Sequence, residues 1–283
     1  MIPQQVTTWL VENDFGDVNS SYAVAGGCIN NGQILKTVSG KSFFLKTNRR
    51  APSDMFAREV EGLEALRVDG GPVVPEPYLF GGDFILLEDL TPSSPSSDYW
   101  PEFGRQLATL HNHNNSQFGF DHDNYIGSTL QPNPWTDNGY EFFGASRLMY
   151  MTRLARDRNL MGSDDAHRVE KLVSKLPDLI PQQPASLIHG DLWSGNATSD
   201  SNGEPAIIDP ATHYGWAEAE LAMTSLFGSF PGAFFAAYEE VRPLENSYRS
   251  RFAIYNLYHL LNHLNIFGRS YLGQVQSIIH QYS

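Results

Sequence analysis

A chain of 283 residues is long enough to bury a sizeable core, either as one large domain or as two lobes. Its 41% hydrophobic and 18% charged residues are typical of a globular protein, and its formal charge of −13 makes the average surface repel nucleic acid and anionic membranes. The single cysteine excludes an intramolecular disulfide, no signal-peptide pattern opens the chain, and no apolar run approaches the roughly 20 residues of a membrane span, so a cytoplasmic protein is predicted.

Residues 1–90 are predicted to form a small β-rich lobe. Residues 20–48 alternate short apolar runs with Gly, Asn and Ser-Gly turns, which is typical of successive strands. Residues 52–68 predict a helix, and residues 73–90 predict two further strands around a Gly-Gly-Asp turn. Pro and Ser break any regular element in residues 90–101, which are expected to connect this lobe to the rest of the chain.

The remainder of the chain, residues 91–283, is mainly helical in its pattern. Apolar residues recur at helical spacing in residues 101–114, 141–160, 166–180 and 250–279. The sequence therefore predicts an α+β fold with two lobes, a small β-rich one over residues 1–90 and a larger helical one over residues 91–283.

A short polar constellation interrupts the helical part. His189, Asp191 and Asn196 have the spacing H-x-D-x-x-x-x-N of the kinase catalytic loop, where the Asp orients the attacking hydroxyl and the Asn holds magnesium. A second apolar run then ends on Asp209, where a second hard oxygen ligand belongs. Asp191 is thus the predicted catalytic base, and Asn196 and Asp209 are the predicted metal ligands. The alternative is a hairpin whose polar residues only satisfy a turn.

Lys46 lies on a predicted strand, in "FFLKTN", where its ammonium group is placed to contact the α- and β-phosphates of a nucleotide. An isolated strand lysine is usually just solvated, but the following helix offers a partner. With 100° per residue, Glu59 lies within ~45° of the centre of the apolar face, whereas Glu61 points away. Because an inward carboxylate is costly unless paired, Glu59 is predicted to hold Lys46.

Two backbone segments are predicted to complete the nucleotide site. The stretch "VAGGCINNG" offers free N–H groups before the Lys46 strand; it lacks G-x-G-x-x-G, and an ordinary hairpin is the alternative. The predicted phosphate contacts are Gly26, Gly27, Cys28 and Ile29. The stretch "LLEDL" closes the first lobe, and its backbone is predicted to face adenine as a hinge. The predicted hinge residues are Glu88, Asp89 and Leu90.

Cys28, the only cysteine, is predicted to be redox-sensitive. Inward N–H groups of a phosphate loop favour the thiolate, and a lone thiol cannot close an internal bridge. The chain is therefore expected to be a monomer, or a redox-linked homodimer through Cys28. The alternative is a small apolar residue packed under the loop.

Longer stretches that match the sequence pattern of one enzyme family extend across residues 20–235. They include "LIHGDLWSGN", "GGCIN", "FFLKTN", "FAREVEGLEAL", "FGRQLATLHNH" and "IIDPATHYG". Through them the chain resembles the fructosamine kinase (ketosamine kinase) family, within the protein-kinase-like small-molecule kinases. This resemblance implies a two-lobed protein-kinase-like fold and a kinase that uses ATP and Mg²⁺ to phosphorylate a sugar hydroxyl of a ketosamine, free or on a lysine of a glycated protein.

Alternatives remain for the acceptor and for the activity. Kinases of aminoglycosides, choline or homoserine share H-x-D-x-x-x-x-N, and a nucleotide-binding pseudokinase is a further alternative. Trp193 and Trp216 are predicted to face the acceptor. For Trp193, a structural role in supporting the catalytic loop is an equally weighted alternative. Where the family commonly shows His-Arg-Glu, this chain has Trp216, Ala217 and Glu218, a difference that bears on the acceptor pocket. The short segment between Asp209 and a helix near Ala217 leaves no room for a long activation segment, which argues against a protein kinase.

Four further polar residues are not predicted to carry chemistry. His189 is predicted to support the catalytic loop by hydrogen bonding, and Glu220 to clamp its backbone, as an acid does in similar kinases. His259 and His263 have the i, i+4 spacing of metal ligands on a helix, but without a third ligand nearby in sequence they are not predicted to bind zinc.

Overall fold

A five-stranded antiparallel sheet forms the N-terminal part of the computed structural model, which describes residues 2–24 and 30–283. The spatial order of the strands is β1-β2-β3-β5-β4. The strands are β1 (Val18–Val24), β2 (Asn31–Thr37), β3 (Ser42–Thr47), β4 (Pro77–Gly81) and β5 (Phe84–Glu88). The predicted phosphate contacts Gly26, Gly27, Cys28 and Ile29 lie outside the described residues.

Two helices, α1 (Gln4–Glu12) and α2 (Met55–Leu66), pack against this sheet. Successive strand side chains point to opposite faces, so Phe43 and Leu45 of β3 join the core cluster of α1, while Lys46 faces α2. Helix α1 precedes every element predicted from the sequence and buries Val6 and Leu10. The strand pattern thus determines that a lysine and the α2 helix share one side of the sheet.

The rest of the chain is mainly helical. Its helices are α3 (Tyr99–His111), α4 (Gly139–Glu141), α5 (Tyr150–Asp157), α6 (Ser163–Leu179), α7 (Ala217–Met223), α8 (Gly232–Val241), α9 (Phe252–Phe267) and α10 (Leu272–Tyr282). Short 3₁₀ turns cover Tyr248–Arg251 and Arg269–Tyr271. Helix α9 is buried at twelve of its sixteen residues, as expected of a central helix that other helices surround.

Two of the predicted helical stretches are divided. Between α4 and α5 the helix continues through a π-helical segment, Phe142–Met149. The stretch 250–279 is broken at Gly268, whose φ of 87° lies in the left-handed region that ends helices. The chain therefore turns between α9 and α10, where the sequence pattern alone shows one long amphipathic run.

Seven short strands complete the second part: β6 (Asn114–Asn115), β7 (Asn124–Ile126), β8 (Thr129–Gln131), β9 (Ala185–Ile188), β10 (Ala197–Ser199), β11 (Pro205–Ile207) and β12 (His213–Gly215). Strands β10 and β11 form a hairpin, and β9 lies between β12 and β6. The predicted hairpin after the catalytic loop is thereby confirmed.

The Pro/Ser-rich connection is fastened to this hairpin. Ser93 N donates to Asp200 O at 3.1 Å, and Ser199 Oγ donates to Ser93 O at 2.7 Å. On the same hairpin, Val73 exchanges backbone hydrogen bonds with Pro205 and Ile207, at 2.9 Å each. These bonds attach the sheet-containing part of the chain directly to the segment that carries Asp209.

The predicted α+β architecture, with a β-rich part followed by a larger helical part, is confirmed. Within the described ranges 2–24 and 30–283, none of the helices has the length and apolar character that crossing a membrane requires.

Candidate active site

The loop that follows β9 carries the His189–Asp191 motif. Strand β9 is buried along its whole length, which holds the start of the loop inside the protein. Gly190 has a φ of 84°, and a Cβ there would lie 2.1 Å from Ala211 O. Only glycine fits this turn, because both the backbone conformation and the close approach of another backbone exclude a side chain.

Glu220, on α7, holds this loop in place through hydrogen bonds with its backbone. Its buried carboxylate accepts hydrogen bonds from His189 N at 3.0 Å, Gly190 N at 2.6 Å and His111 Nε2 at 2.9 Å. Burial by itself raises the pKa of Glu220, but these hydrogen bonds and the neighbouring imidazoles lower it overall, so the group is ionised. The predicted backbone clamp is confirmed.

His189 joins the two strands that flank the site. Its Nε2 lies 2.8 Å from Ile208 O, and Asp191 N donates to its Nδ1 at 3.2 Å. Burial lowers the pKa of His189, so the ring is neutral, with the proton on Nε2. The prediction that His189 supports the loop by hydrogen bonding is confirmed.

Asp191 and Asn196 lie side by side at the mouth of the loop. Asn196 Nδ2 donates to Asp191 O at 2.8 Å and to Asp191 Oδ2 at 3.3 Å, which leaves its amide oxygen, rather than its nitrogen, to face a cation. The Asp191 side chain is 22% exposed, so a substrate can reach it. Burial, followed by the Asp209 carboxylate, raises the pKa of Asp191 well above its usual value.

Lys46 meets two carboxylates from distant parts of the chain. Its Nζ lies 2.5 Å from Glu59 Oε1 and also contacts Asp209 Oδ1. Burial alone lowers the pKa of Lys46, but Asp209 and Glu59 raise it overall, so the ammonium group remains charged. Lys46 is 4% exposed, whereas the Asp209 side chain is 44% exposed. The site therefore holds a buried cation with one mostly buried and one open acidic partner.

Asp209 adopts an uncommon backbone conformation for a residue with a side chain. Its φ is 58°, directly after the β11 strand and Ile208. Asp tolerates the left-handed region better than most residues, and such conformations concentrate at functional sites. The turn presents the Asp209 carboxylate to Lys46 across the junction between the two parts of the chain.

A magnesium ion suits these donors. Mg²⁺ prefers hard oxygen ligands, keeps several waters and often binds through one or two side chains plus substrate phosphates. The Asp209 carboxylate and the Asn196 amide oxygen provide such a pair. In residues 2–24 and 30–283, no cluster of three His, Cys, Asp or Glu side chains is arranged as a cation site by itself.

The predicted hinge follows β5. Glu88 is the last residue of that strand, and its backbone N donates to Glu76 O at 2.8 Å. Asp89 Oδ1 accepts from Thr91 N at 3.0 Å, where the chain turns into the Pro/Ser-rich connection. The structure thus places Glu88, Asp89 and Leu90 where the sheet joins the helical part; their contact with adenine stays a prediction.

The sequence is similar to known proteins along its whole length. The family model described as fructosamine kinase matches residues 3–283. The chain belongs to the fructosamine kinase family. A protein of Synechocystis sp. named probable ketoamine kinase is 45% identical over 265 residues, 92% of this chain and 88% of that protein. The chloroplastic protein-ribulosamine 3-kinase of Oryza sativa subsp. japonica is 39% identical over 282 residues, 96% and 81% of the two chains.

Solved structures agree with this family. A crystal structure from Thermobifida fusca, assigned to fructosamine-3-kinase, matches with a TM-score of 0.89 and 29% identity, over 99% of this chain and 98% of that one. Phosphotransferases for other acceptors share the fold at lower identity, among them an aminoglycoside phosphotransferase at 17% and a TM-score of 0.61. The protein is therefore a kinase-like phosphotransferase with an alcohol acceptor.

The two tryptophans predicted to face the acceptor lie in different environments. Trp193, in the catalytic loop, is half-buried, and its ring lies 6.2 Å from that of Phe227. Trp216 is 4% exposed and packs among aromatic rings, including Phe143 at 5.4 Å and Tyr140 at 5.5 Å. This burial favours a packing role for Trp216 over the predicted contact with an acceptor.

Trp216 also explains why residue 139 is a glycine. A Cβ at Gly139 would lie 2.8 Å from Trp216 Nε1, so the indole occupies the space beside α4. The neighbouring Glu218 forms a buried ion pair with Arg251, with Nη2 and Oε1 2.6 Å apart. The unusual Trp-Ala-Glu stretch is thus accommodated by local packing beneath the site.

One residue beside the catalytic loop has a position that sequence reasoning missed. His259 Nδ1, on α9, lies 3.8 Å from Asp191 Oδ1. The spacing between His259 and His263 suggested only metal binding, whereas His263 Nδ1 instead bonds to His259 O at 2.9 Å. A single sequence carries no signal for the approach of two residues 68 positions apart.

Proposed function

We propose that the protein transfers the γ-phosphate of ATP to a sugar hydroxyl of a ketosamine, either a small molecule or a lysine adduct of a glycated protein. The observation that carries this proposal is the contact of Lys46 with Glu59 and Asp209, beside a catalytic loop with Asp191 and Asn196. The names of its relatives, ketoamine kinase and protein-ribulosamine 3-kinase, support the acceptor class.

Asp191 is proposed as the catalytic base. The acceptor hydroxyl donates a hydrogen bond to its carboxylate, which orients the oxygen toward the γ-phosphorus. As the new O–P bond forms and the bond to the β-phosphate oxygen breaks, the hydroxyl proton passes to Asp191 and ADP leaves. The pKa of Asp191, raised by burial and by Asp209, makes the carboxylate a better proton acceptor.

Lys46 is proposed to bind the α- and β-phosphates, with Glu59 holding it in place. The buried pair keeps the ammonium group charged and fixed, since an unpaired lysine would be desolvated at a cost. Asp209, now in contact with Lys46, and Asn196 are proposed to hold Mg²⁺, which when bound would neutralise phosphate charge. Because the Lys46 ammonium group and its acidic partners are already in position, the site needs little reorganisation when the nucleotide binds.

The remaining assignments are proposals that rest on position. Glu88, Asp89 and Leu90 are proposed to line the adenine, and Gly26 to Ile29 to cradle phosphates. The nucleotide lobe is proposed to span residues 1–90 and the acceptor lobe residues 91–283. A cytoplasmic location is supported by the single cysteine, which suits a reducing compartment, and the redox-linked dimer through Cys28 stays a prediction.

Trp193 is proposed as a wall of the acceptor site. It is two residues from Asp191 and half-buried, so the exposed part of its ring can contact a sugar while the ring packs against Phe227 in a T-shaped arrangement. No comparable argument supports Trp216, which is enclosed by other rings.

ADP release by purified protein tests this function. A panel of fructosamines, ribulosamines and erythrulosamines should be compared with the parent free sugars, choline and an aminoglycoside, all with saturating Mg-ATP. The proposal predicts a higher kcat/KM for at least one ketosamine than for its free sugar. Equal values for ribose and a ribulosamine, or a preference for choline or the aminoglycoside, would assign the protein to another alcohol.

A further inference from the structure

His259 is a buried polar residue that the proposed mechanism does not use. It lies on α9, is 5% exposed, and its Nδ1 has no hydrogen-bond partner in the described part of the chain. Buried polar side chains are nearly always hydrogen-bonded, so an unpaired nitrogen calls for an explanation. The charged group it faces is Asp191, whose Oδ1 is 3.8 Å from Nδ1.

The two oxygens of Asp191 have different neighbours. Oδ2 accepts from Asn196 Nδ2 at 3.3 Å, while Oδ1 faces His259. The distance to His259 is roughly 0.6 Å beyond the usual N–H···O limit of about 3.2 Å. Catalytic hydrogen bonds are often long in a protein without substrates and tighten when these bind. A small rotation of the Asp191 carboxylate would close this gap.

We propose that His259 is a positioning residue for Asp191, donating a hydrogen bond from Nδ1 to Asp191 Oδ1 when nucleotide and acceptor are bound. The inference rests on the proposed function. With Asn196 on one oxygen and His259 on the other, the carboxylate plane is held from two sides. The remaining lone pairs then point in one defined direction, toward the acceptor hydroxyl.

The environment of His259 suits a neutral donor. Burial, followed by the charges of His263 and Arg147, lowers the pKa of His259 to about 3. A protonated imidazole would form an ion pair with Asp191 and reduce its basicity, whereas a neutral N–H orients the carboxylate without transferring a charge. Asp191 therefore stays the proton acceptor.

A buried water is the competing explanation for the unpaired nitrogen. His259, Gly190 and Arg147 line a cavity of about 30 Å³ behind the catalytic loop. A cavity of about 10–15 Å³ suffices for one water, and Arg147 Nε, also without a partner in the described residues, would be a second ligand for it. In that case, His259 would have no part in catalysis.

Three substitutions separate these explanations. His259→Asn keeps an N–H donor near the position of Nδ1, His259→Gln carries it to the position of Nε2, and His259→Leu removes it. The Leu and Gln variants should lose about tenfold or more in kcat, and the Asn variant less than about threefold, with the KM values for Mg-ATP and ketosamine unchanged. The Tm of His259→Leu should not fall, because Nδ1 has no internal partner to lose.

Asn256→Leu is the matched control. Asn256 lies one turn earlier on α9, is 6% exposed, and donates from Nδ2 to Ala222 O at 2.9 Å. Its removal deletes this hydrogen bond, but Ser225 N at 3.1 Å and Ser225 Oγ at 2.7 Å still donate to Ala222 O, so Tm should fall only slightly and kcat should be unchanged. A purely structural role for His259 would produce this same pattern.

A second readout does not depend on turnover. In the complex with Mg²⁺, a non-hydrolysable ATP analogue and a ketosamine, ¹⁵N-labelled wild-type protein should show a hydrogen-bonded Nδ1–H resonance that both His259→Leu and the ligand-free wild type lack, whereas a buried water would produce it without ligands as well. If the wild type phosphorylates no ketosamine, the proposed function fails, and this resonance in the complex of Mg-nucleotide with the alcohol that the ADP-release panel identifies decides the inference. If the wild type is active but His259→Leu retains its kcat, or the Asn and Leu variants lose kcat equally, the positioning role is overturned.

Discussion

Replacing Glu220 by Gln should damage both the stability of the protein and its catalysis. The Glu220 carboxylate accepts three hydrogen bonds, from His111 Nε2, His189 N and Gly190 N. An amide exchanges one acceptor oxygen for an NH₂ group, which would face an N–H donor. One or two buried donors are then left unsatisfied at about 1–3 kcal/mol each, which spans about 1–6 kcal/mol, and the middle of this range is a loss of about 2–4 kcal/mol. For a chain of this size the Tm should fall by roughly 5–15 °C.

The same substitution should lower kcat by about 10- to 100-fold, because it releases the loop that positions Asp191. The assay is steady-state ADP release, measured well below the Tm of the variant and normalised to folded protein. The KM for Mg-ATP should change little, since Glu220 contacts none of the proposed nucleotide residues.

Glu218→Gln provides the matched control. Glu218 is also buried on α7, but its carboxylate bonds to Arg251 Nε at 2.8 Å and to Tyr255 Oη at 3.1 Å, not to the catalytic loop. Both variants should lose stability, and only Glu220→Gln should lose kcat. An unchanged Tm and kcat for Glu220→Gln, or an equal loss of kcat in both variants, would refute the clamp.

The stability difference should also depend on pH in a defined direction. The folded pKa of Glu220 is lowered, so its stabilisation is complete above the unfolded glutamate pKa of about 4.3 and is lost as pH falls through the folded value. Urea unfolding should therefore show a constant gap between wild type and Glu220→Gln from pH 7 to about pH 5, and a narrowing gap at lower pH. A gap that widens on acidification would mean that Glu220 is protonated at neutral pH.

Three further predictions concern the proposed site. Asp191→Asn should lower kcat by about 10²–10⁴-fold, since the proposed base is lost, while Mg-ATP binding and Tm are maintained; steady-state rates within tenfold of the wild type would remove Asp191 from the mechanism. Asp209→Asn should weaken Mg-ATP binding in calorimetry, because a carboxylate ligand is lost, and unchanged affinity would place the metal elsewhere. Gly190→Ala should cost about 1–2 kcal/mol from its positive φ alone, with more from the Cβ clash on Ala211 O, so thermal unfolding should reveal a clear drop in Tm. A Tm equal to that of the wild type would show that the backbone at position 190 adopts a conformation that accommodates a side chain.

Much of the site could be predicted from the sequence because its patterns are local. The spacing of His189, Asp191 and Asn196 depends on one loop, and the hairpin that leads to Asp209 depends on one turn. The face of Glu59 follows from helical periodicity within α2. Each of these needs only a short segment with a regular period, and the division of the fold into β-rich and helical parts follows in the same way.

Tertiary structure alone decided which of these segments meet. Lys46 contacts Asp209 across 163 positions, and His259 approaches Asp191 across 68, because the sheet, the hairpin and α9 pack at one junction. Trp216 is buried because aromatic rings from other elements, such as Phe143, surround it. Its neighbours in sequence do not indicate that these rings will enclose it. Periodicity determines the face of an element on which a side chain lies, whereas the partner of that face depends on how all the elements pack together.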